Sequence, residues 1–436
     1  MLHSFHMITR RAQQWLLHLF AFLRGRADET VEDRNYRYLL INGAWFGLID
    51  GGIFTYLPVF LARLGASAST IGLLTSGPSL IGILSYIPGG AYTERHRDLV
   101  RLTVRATWLT RLVYPVIVLL PFVLDRHAIP IAVVILWSLA SIPAAVHVPA
   151  WTAVMQKAVS PRRRAQLNGT RWALLAVVSA VAIAGFGYML DRTPFPTGYQ
   201  IVFTISFLAA FFNLYFFSKV QVPPFAPEPT DQQIGRSWGA RLREFLRPFA
   251  ESRPFLRYML ASLPYRLALN LPVALYSIYW VDTLRASDTW IGLRGTAGYV
   301  ALVVGYAFWG RVANRLGHRN LLLICCSTFG LYPVLTALAP SMEWLLPAAI
   351  VWGFTAGGLD IGLFDMLLAV CPDGRQPSFA AAAQMLVSIV AFVGPLLGAV
   401  LADAVTVRTA LFIIGGLQIA AALLFFLLPR DDPAEG

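Results

Sequence analysis

Charge is scarce in this sequence. Only 13% of its 436 residues are Asp, Glu, Lys or Arg, about half the share in a soluble domain, which excludes an ordinary water-soluble globule. Cysteine is scarcer still. Cys325, Cys326 and Cys371 fall in or at the ends of apolar segments with no paired ligand spacing, which argues against a disulfide framework and a cysteine metal site. Catalytic signatures are missing too. There is no His-Glu-x-x-His, no Gly-x-Ser-x-Gly and no clustered nucleophile and base, so an enzyme is not expected. Without a Gly-x-x-x-x-Gly-Lys loop, nucleotide hydrolysis within this chain is not an energy source, and no cofactor or metal is expected.

Hydrophobicity fills the gap. The chain is 57% hydrophobic with mean hydropathy +0.61, and its apolar segments read as membrane spans. The net charge of +12 raises the question of nucleic acid. The arginines sit in short loops between spans, however, and orientation in a bilayer explains that placement better.

Twelve helices are expected, at 38–63, 70–92, 99–121, 129–156, 166–190, 198–218, 255–281, 289–312, 320–339, 344–370, 378–402 and 407–429. Each is near the ~20 residues that a hydrocarbon core requires. Nineteen basic residues lie in or beside the loops after spans 2, 4, 6, 8 and 10, Arg171 counted among them. Only Arg63, Arg126, Arg192, Arg285 and Arg408 lie in the alternate loops. That bias predicts both termini in the cytoplasm, and the expected location is a plasma (inner) membrane.

The remaining segments divide the chain further. Residues 1–37 are expected to hold an amphipathic helix on the cytoplasmic surface: the run Trp15 to Leu23 is interrupted by His18 and lacks a signal-peptide cleavage site. Residues 38–218 and 255–429 form two six-helix bundles. Residues 219–254 join them through a proline-rich stretch and an interfacial helix bearing Trp238, Leu242, Phe245, Leu246 and Phe249 on one face, and 430–436 form a cytoplasmic tail.

The two bundles are related in sequence. Gly310-Arg311-Val312-Ala313-Asn314-Arg315-Leu316-Gly317-His318-Arg319 has a weaker copy 220 residues upstream, Gly90-Ala91-Tyr92-Thr93-Glu94-Arg95-His96-Arg97. The same shift superposes Ala66-Ser67 on Ala286-Ser287 and Ile71-Gly72-Leu73 on Ile291-Gly292-Leu293. Repeated halves of this kind are a mark of secondary transporters. A second repeated element follows spans 4 and 10: Val159-Ser160-Pro161 with Arg162 to Arg164, against Val370-Cys371-Pro372 with Arg375.

With twelve spans, a central loop and the Gly-x-x-x-(Asp)-Arg-x-Gly-x-Arg motif after spans 2 and 8, residues 38–429 resemble the major facilitator superfamily. The second copy matches through Gly310, Arg315, Gly317 and Arg319, with Asn314 where an acid is usual. The first keeps Gly90, Glu94 and Arg95 but has His96-Arg97-Asp98 where a glycine and basic residues are expected. The resemblance implies an all-α protein of two pseudo-symmetric bundles rocking about a central cavity, with the motif latching them when the cavity faces outward. Gly90 and Gly310 are then expected at close helix approaches, and Asn314, lacking charge, makes the second latch weaker. A loop that only fixes topology explains the arginines but not the glycine spacing.

Ionisable residues at membrane depth are costly and usually functional. The helices that line the cavity in this family, the first, fourth, seventh and tenth, carry Asp50, His147, Arg266 and Asp360 here. Asn270, one turn beyond Arg266, is the repeat equivalent of Asp50. A carboxylate in a dry cavity can take and release protons near neutrality, which makes Asp50 the leading coupling residue. The alternative is a static pair of Arg266 with Asp50 or Asp360. Gly51-Gly52 serves unwinding or close packing. The Gly-Pro-x-x-Gly pattern of the family's drug/proton antiporters is absent from span 5 and present in span 11 as Gly394 to Gly398.

The expectation is a monomeric, proton-linked carrier of a small organic solute, independent of nucleotide, with efflux slightly favoured. The alternatives are an uptake carrier of the same fold and a non-transporting membrane sensor.

Overall fold

The computed structural model describes residues 29–224, 252–371 and 376–428, and among them the chain is helical with no strand. Inside a bilayer the backbone finds no water to bond, so helices that satisfy their own N–H and C=O groups are the available solution. Among the described residues, eleven helices are long and apolar enough to cross a membrane: Val31–Arg63, Ala68–Ser85, Leu99–Val123, Ile129–Ala158, Arg162–Leu190, Thr197–Ser218, Asp288–Ala313, His318–Leu338, Met342–Leu367, Ala382–Ala404 and Val407–Leu427. They are spans 1–6 and 8–12. The expected seventh span is present in pieces, Arg253–Asn270 and Val273–Ile278 followed by a π-helical turn Tyr279–Thr283. It is broken at Leu271-Pro272, and its first piece carries Arg253, Arg257 and Arg266, so neither piece is apolar and long enough alone. The amphipathic helices expected within 1–37 and 219–254 fall outside the described residues, except for 29–37, 219–224 and 252–254. The tail 430–436 lies outside them entirely.

Span ends are set by ordinary capping. Thr30, Ser67, Ser252, Ser287 and Thr406 each accept a hydrogen bond from the backbone three residues on, satisfying a donor that the first turn leaves open. Ser67 and Ser287 are repeat equivalents, so part of the repeated register is the start of spans 2 and 8. Breaks within spans follow proline. Spans 3, 4 and 9 are interrupted at Leu112, Ala140 and Gly330, each three residues before Pro115, Pro143 or Pro333, where the ring removes a donor and crowds the preceding turn.

The bundles meet along spans 2 and 11 and spans 5 and 8. A Cβ on Gly72 of span 2 would sit 3.3 Å from the Pro395 carbonyl oxygen of span 11, and one on Gly292 of span 8 would sit 2.7 Å from the Ile183 oxygen of span 5. The repeated Ile-Gly-Leu therefore marks both inter-bundle seams. The seams carry equivalent hydrogen bonds as well: Ser76 Oγ donates to the Phe392 oxygen (2.7 Å), and Thr296 Oγ1 to the Ala180 oxygen (2.7 Å).

The Gly-Pro-x-x-Gly of span 11 also seats the break in span 7. A Cβ on Gly394 would lie 2.5 Å from the Asn270 Cβ, and one on Gly398 would collide with the Leu271 carbonyl oxygen. Both neighbours are fixed parts of the break rather than flexible side-chain ends. Gly398→Val is expected to cost at least the ~1–3 kcal/mol of an overpacked core. Its melting point and detergent-solubilised yield should fall well below those of Gly416→Val, whose added carbon meets nothing within 4 Å. Equal behaviour of the two would show that the contact is not needed.

Candidate functional site

Span 1 leaves α-helical geometry for a π-helical turn at Asp50–Phe54, and π-turns often mark functional positions. The turn is held by close packing rather than unwinding. A Cβ on Gly51 would be 2.8 Å from the Ser179 oxygen, and one on Gly52 would overlap Ser206 Oγ, which already receives the Ile53 N–H (3.1 Å). Within this turn the Asp50 carboxylate accepts two hydrogen bonds at Oδ2, from Ser179 Oγ (2.9 Å) of span 5 and from Tyr299 OH (2.5 Å) of span 8. Tyr299 belongs to the opposite bundle, so Asp50 bridges the seam.

A larger cluster closes the face of the protein that carries few arginines. Arg63, at the end of span 1, bonds the Ala286 oxygen (2.6 Å) and Asp288 Oδ1 (3.2 Å), which also accepts from Tyr199 OH (2.7 Å). Asp191, at the end of span 5, accepts the backbone N–H groups of Asp288 (2.8 Å) and Thr289 (2.9 Å). A carboxylate of one bundle thus meets the positive N-terminal end of span 8 in the other. Burial pushes the Asp191 carboxyl up, but hydrogen bonds from Thr289, Asp288 and Ser287 outweigh it and leave it below the usual carboxylate range. For a depressed acid, stability is present above the unfolded value and lost as pH falls through the folded one. Asp191 therefore holds its part of the closure throughout the neutral range.

The other expected residues do not join Asp50. Asp360 is exposed at membrane depth in span 10, and its Oδ2 accepts from Tyr306 OH (2.7 Å) of span 8. A carboxylate there must face a wet cavity rather than lipid. Arg266 forms no ion pair with Asp360 or with Asp50 among the described residues. The guanidinium lines a separate cavity of about 40 Å³ with Tyr258 and Gln384. The static-pair reading is thus not realised in this structure. Asn270 Nδ2 donates to the Arg266 oxygen (2.8 Å) at the break of span 7. His147 Nδ1 lies 2.6 Å from Thr107 Oγ1, and that hydroxyl already donates to the Thr103 oxygen (2.7 Å). The contact ties span 4 to span 3, and the tautomer of the histidine sets which partner donates. Arg111 turns inward to Tyr114 OH and lies over the rings of Phe46 and Phe54.

The sequence profile of the Major Facilitator Superfamily matches residues 39–279 and 258–436. The chain belongs to the major facilitator superfamily. Among curated relatives, the MFS-type transporter phomT of Diaporthe leptostromiformis is 30% identical over 140 residues, 31% of this chain and 23% of that one. The uncharacterized MFS-type transporter YdgK of Bacillus subtilis (strain 168) is 29% identical over 153 residues, 35% and 38% of the two chains. These matches span well under half of each relative's length. The fold agrees over a longer range. A bacterial homologue of the iron transporter ferroportin in its inward-facing state superposes with TM-score 0.67 at 14% identity, covering 91% of this chain and 98% of that one. A bacterial homologue of the human lysosomal transporter Spinster, inward-facing and unoccupied, gives 0.65 at 14%, covering 92% and 97%.

Among the described residues the motif glycines make no close contact. A Cβ on Gly90 would meet nothing within 4 Å, and one on Gly310 only Ile361 Cδ1 at 4.0 Å. The expected close approaches at these glycines are therefore absent. Gly89 packs closely instead, against the Ala145 oxygen (2.5 Å) within its own bundle. The physical reason is the conformation: every hydrogen bond between the bundles, among the described residues, lies toward the opposite face. Arg95 ends span 2, Arg315 is exposed, and Gly317 takes positive φ (76°) to separate spans 8 and 9. Arg319 lies over the Phe426 ring (5.4 Å). The side chains of Glu94 and Asn314 lie outside the described set. The second repeated element serves the first bundle: Ser160 donates to Glu32 through N–H (3.0 Å) and Oγ (2.8 Å), and Arg163 pairs with Asp33 (2.7 Å). Its counterpart at Pro372 and Arg375 falls outside the described residues.

Several neighbours of the candidate acids carried no sequence signal. Ser179, Tyr299 and Tyr306 are ordinary polar residues in apolar helices, and the repeat equivalent of Tyr299 is Ser79. Arg171 is a correction. It counts as a loop flank if span 5 starts at 166, but the helix begins at Pro161 and places Arg171 ten residues in, with 6% exposure. Its Nε and one terminal nitrogen have no partner, and the Trp151 ring lies 4.9 Å from the guanidinium. A cation–π contact returns up to ~2 kcal/mol, less than an unpaired buried charge costs. Arg171→Met is therefore expected to raise the melting temperature, by about 1 kcal/mol of added stability. A clear drop on calorimetry would mean that the charge has a partner in the membrane-embedded state.

Proposed function

We propose that this protein is a proton-coupled carrier that moves a small organic solute by alternating access, with export favoured over uptake. The observation that carries the reading is the bond between Asp50 of one bundle and Tyr299 of the other. A hydrogen bond to a charged group is worth ~1.5–3 kcal/mol and a neutral one ~0.5–1.5. Neutralising Asp50 thus weakens the seam by about 1 kcal/mol, several-fold in the balance between closed and open outer faces.

The surroundings suit both protonation states. Ser179 Oγ reaches the Gly47 oxygen (3.0 Å) as well as Asp50. It can donate to the carboxylate, or turn to Gly47 and accept the proton of the carboxylic acid. An empty carboxylate holds the outer face shut, while a proton or a cationic solute releases it. Movement that requires one or the other is the rule of an antiporter. Aromatic rings near the two acids, Tyr299 beside Trp352 (6.2 Å) and Tyr306 on Asp360, suit a lipophilic cation. In this reading the arginine-rich face is cytoplasmic, residues 38–218 and 255–429 are the rocking units, and the motif latches when the inner face closes.

The test is a solute library screened for thermal stabilisation, with hits followed as flux in reconstituted vesicles under an imposed pH gradient. A ligand at ~100 times its dissociation constant adds about 2.7 kcal/mol. Flux that follows the proton gradient supports the reading. Flux indifferent to it makes the protein a facilitative carrier, and stabilisation without flux makes it a sensor.

A further inference from the structure

A cavity of about 370 Å³ lies away from the Asp50 seam, between the inner end of span 2, the start of span 3 and span 4. His96 and Asp98, the residues at which the first motif copy departs from the family pattern, line it. So do Arg101 and Arg105 of span 3, four residues apart and so on one helical face. Arg101 Nε pairs with Asp98 (3.1 Å), a bond that leaves its terminal nitrogens open, and its side chain is 79% exposed. Arg105 is exposed and has no acidic partner among the described residues. His96 Nδ1 donates to the Tyr92 oxygen (2.8 Å), which turns Nε2 away from its own backbone. The cluster is a net positive rim.

The wall below the rim is apolar. Leu109, the next residue on the Arg101–Arg105 face, lies roughly 12 Å along the axis from Arg101 and lines the cavity with Pro143 and Val146. The stripe continues beyond the cavity through the exposed side chains of Leu112, Val116 and Leu119. A free anion gains nothing from such a wall. A molecule with an anionic head and a hydrocarbon tail matches both parts, with its charge at the level of the basic loop and its tail along the helix.

We propose that this cavity binds an anionic phospholipid, with the phosphate between Arg101 and Arg105 and an acyl chain along the Leu109 stripe. Bound there, the lipid ties the loop after span 2 to spans 3 and 4, next to the first motif copy.

The experiment uses the full chain in mild detergent, with melting temperature titrated against phosphatidylglycerol, phosphatidylcholine and inorganic phosphate. Phosphatidylglycerol alone is expected to stabilise, and Arg101→Ala with Arg105→Ala to weaken its effect about tenfold or more, at about 1 kcal/mol per basic side chain. Arg311→Ala, on the same face in span 8, is the control and should leave the titration unchanged. Should the double variant not fold, native mass spectrometry of Arg105→Ala reads the retained lipid directly. An equal effect of phosphatidylcholine, or an unchanged titration in the double variant, overturns the proposal. An equal effect of phosphate overturns it in favour of a soluble anion.

Discussion

Asp50→Asn is expected to lower proton-driven flux by at least about tenfold while leaving solute–solute exchange largely intact. Energetic coupling between two sites amounts to ~1–3 kcal/mol, a factor of ~5–150, and here the charge proposed to link them is removed. Asparagine keeps an oxygen that accepts from Tyr299 and Ser179, so packing around the π-turn survives and the melting point should move little. The charge-assisted part of the Tyr299 bond is lost. The variant therefore resembles a permanently neutralised carrier: it exchanges, but a pH gradient no longer drives it. Flux is measured in vesicles with and without a pH difference. If Asp50 were a packing residue, the substitution would lower stability and leave the gradient dependence as it was.

The second large effect belongs to Asp288. Its Oδ1 receives Arg63 from span 1 and Tyr199 from span 6, and the ion pair is largely buried, with side-chain exposures of 26% and 9%. Truncating one member of a buried, hydrogen-bonded charge pair costs ~2–4 kcal/mol, because the partners stay desolvated. Both partners lie across the seam from Asp288, so the loss falls on the closed arginine-poor face and not on either bundle alone. A shift of that size exceeds or matches the few kcal/mol that separate interconverting conformations. Asp288→Ala should open the arginine-poor face. Ser76→Cys supplies a reporter, since Ser76 is fully buried in the seam of spans 2 and 11. A membrane-impermeant thiol reagent added from the arginine-poor side should label it at least ~30-fold faster in the Asp288→Ala background. Asp125→Ala, an exposed carboxylate on the same face, should leave the rate unchanged. A rate in Asp288→Ala no faster than in the Asp125→Ala control contradicts the assignment of this cluster as the closure of that face.

How much of this was legible in the sequence follows from where each signal resides. Span positions and the repeat are local properties. Hydropathy located the helices, and Ser67/Ser287 and Gly72/Gly292 carried the repeated register because caps and close approaches need those residue types at fixed places. Hydropathy was blind where a helix runs past the hydrocarbon. Span 1 starts at Val31 because Thr30 caps it, and span 5 at Pro161, a Ser-Pro start hidden under three arginines. That error turned Arg171 into a loop residue. Asp50 stood out as a charge at depth, whereas its partners did not, lying 129 and 249 residues away as common polar side chains. Nothing local marks a tyrosine whose only special property is what it faces. The latch glycines were visible as spacing, but whether they touch depends on conformation, and one sequence serves every conformation.

The most direct test of the account is a distance across the arginine-poor face as pH is changed. Ala128→Cys and Val405→Cys place spin labels on exposed loops of the two bundles, and the native Cys325, Cys326 and Cys371 are buried. Electron–electron resonance in nanodiscs should give one short distance at alkaline pH, with a longer population growing on acidification. In the Asp50→Asn background the distribution should no longer respond to pH. The same pH response with Asp50 replaced would contradict the claim that this carboxylate links the proton to the opening of the carrier.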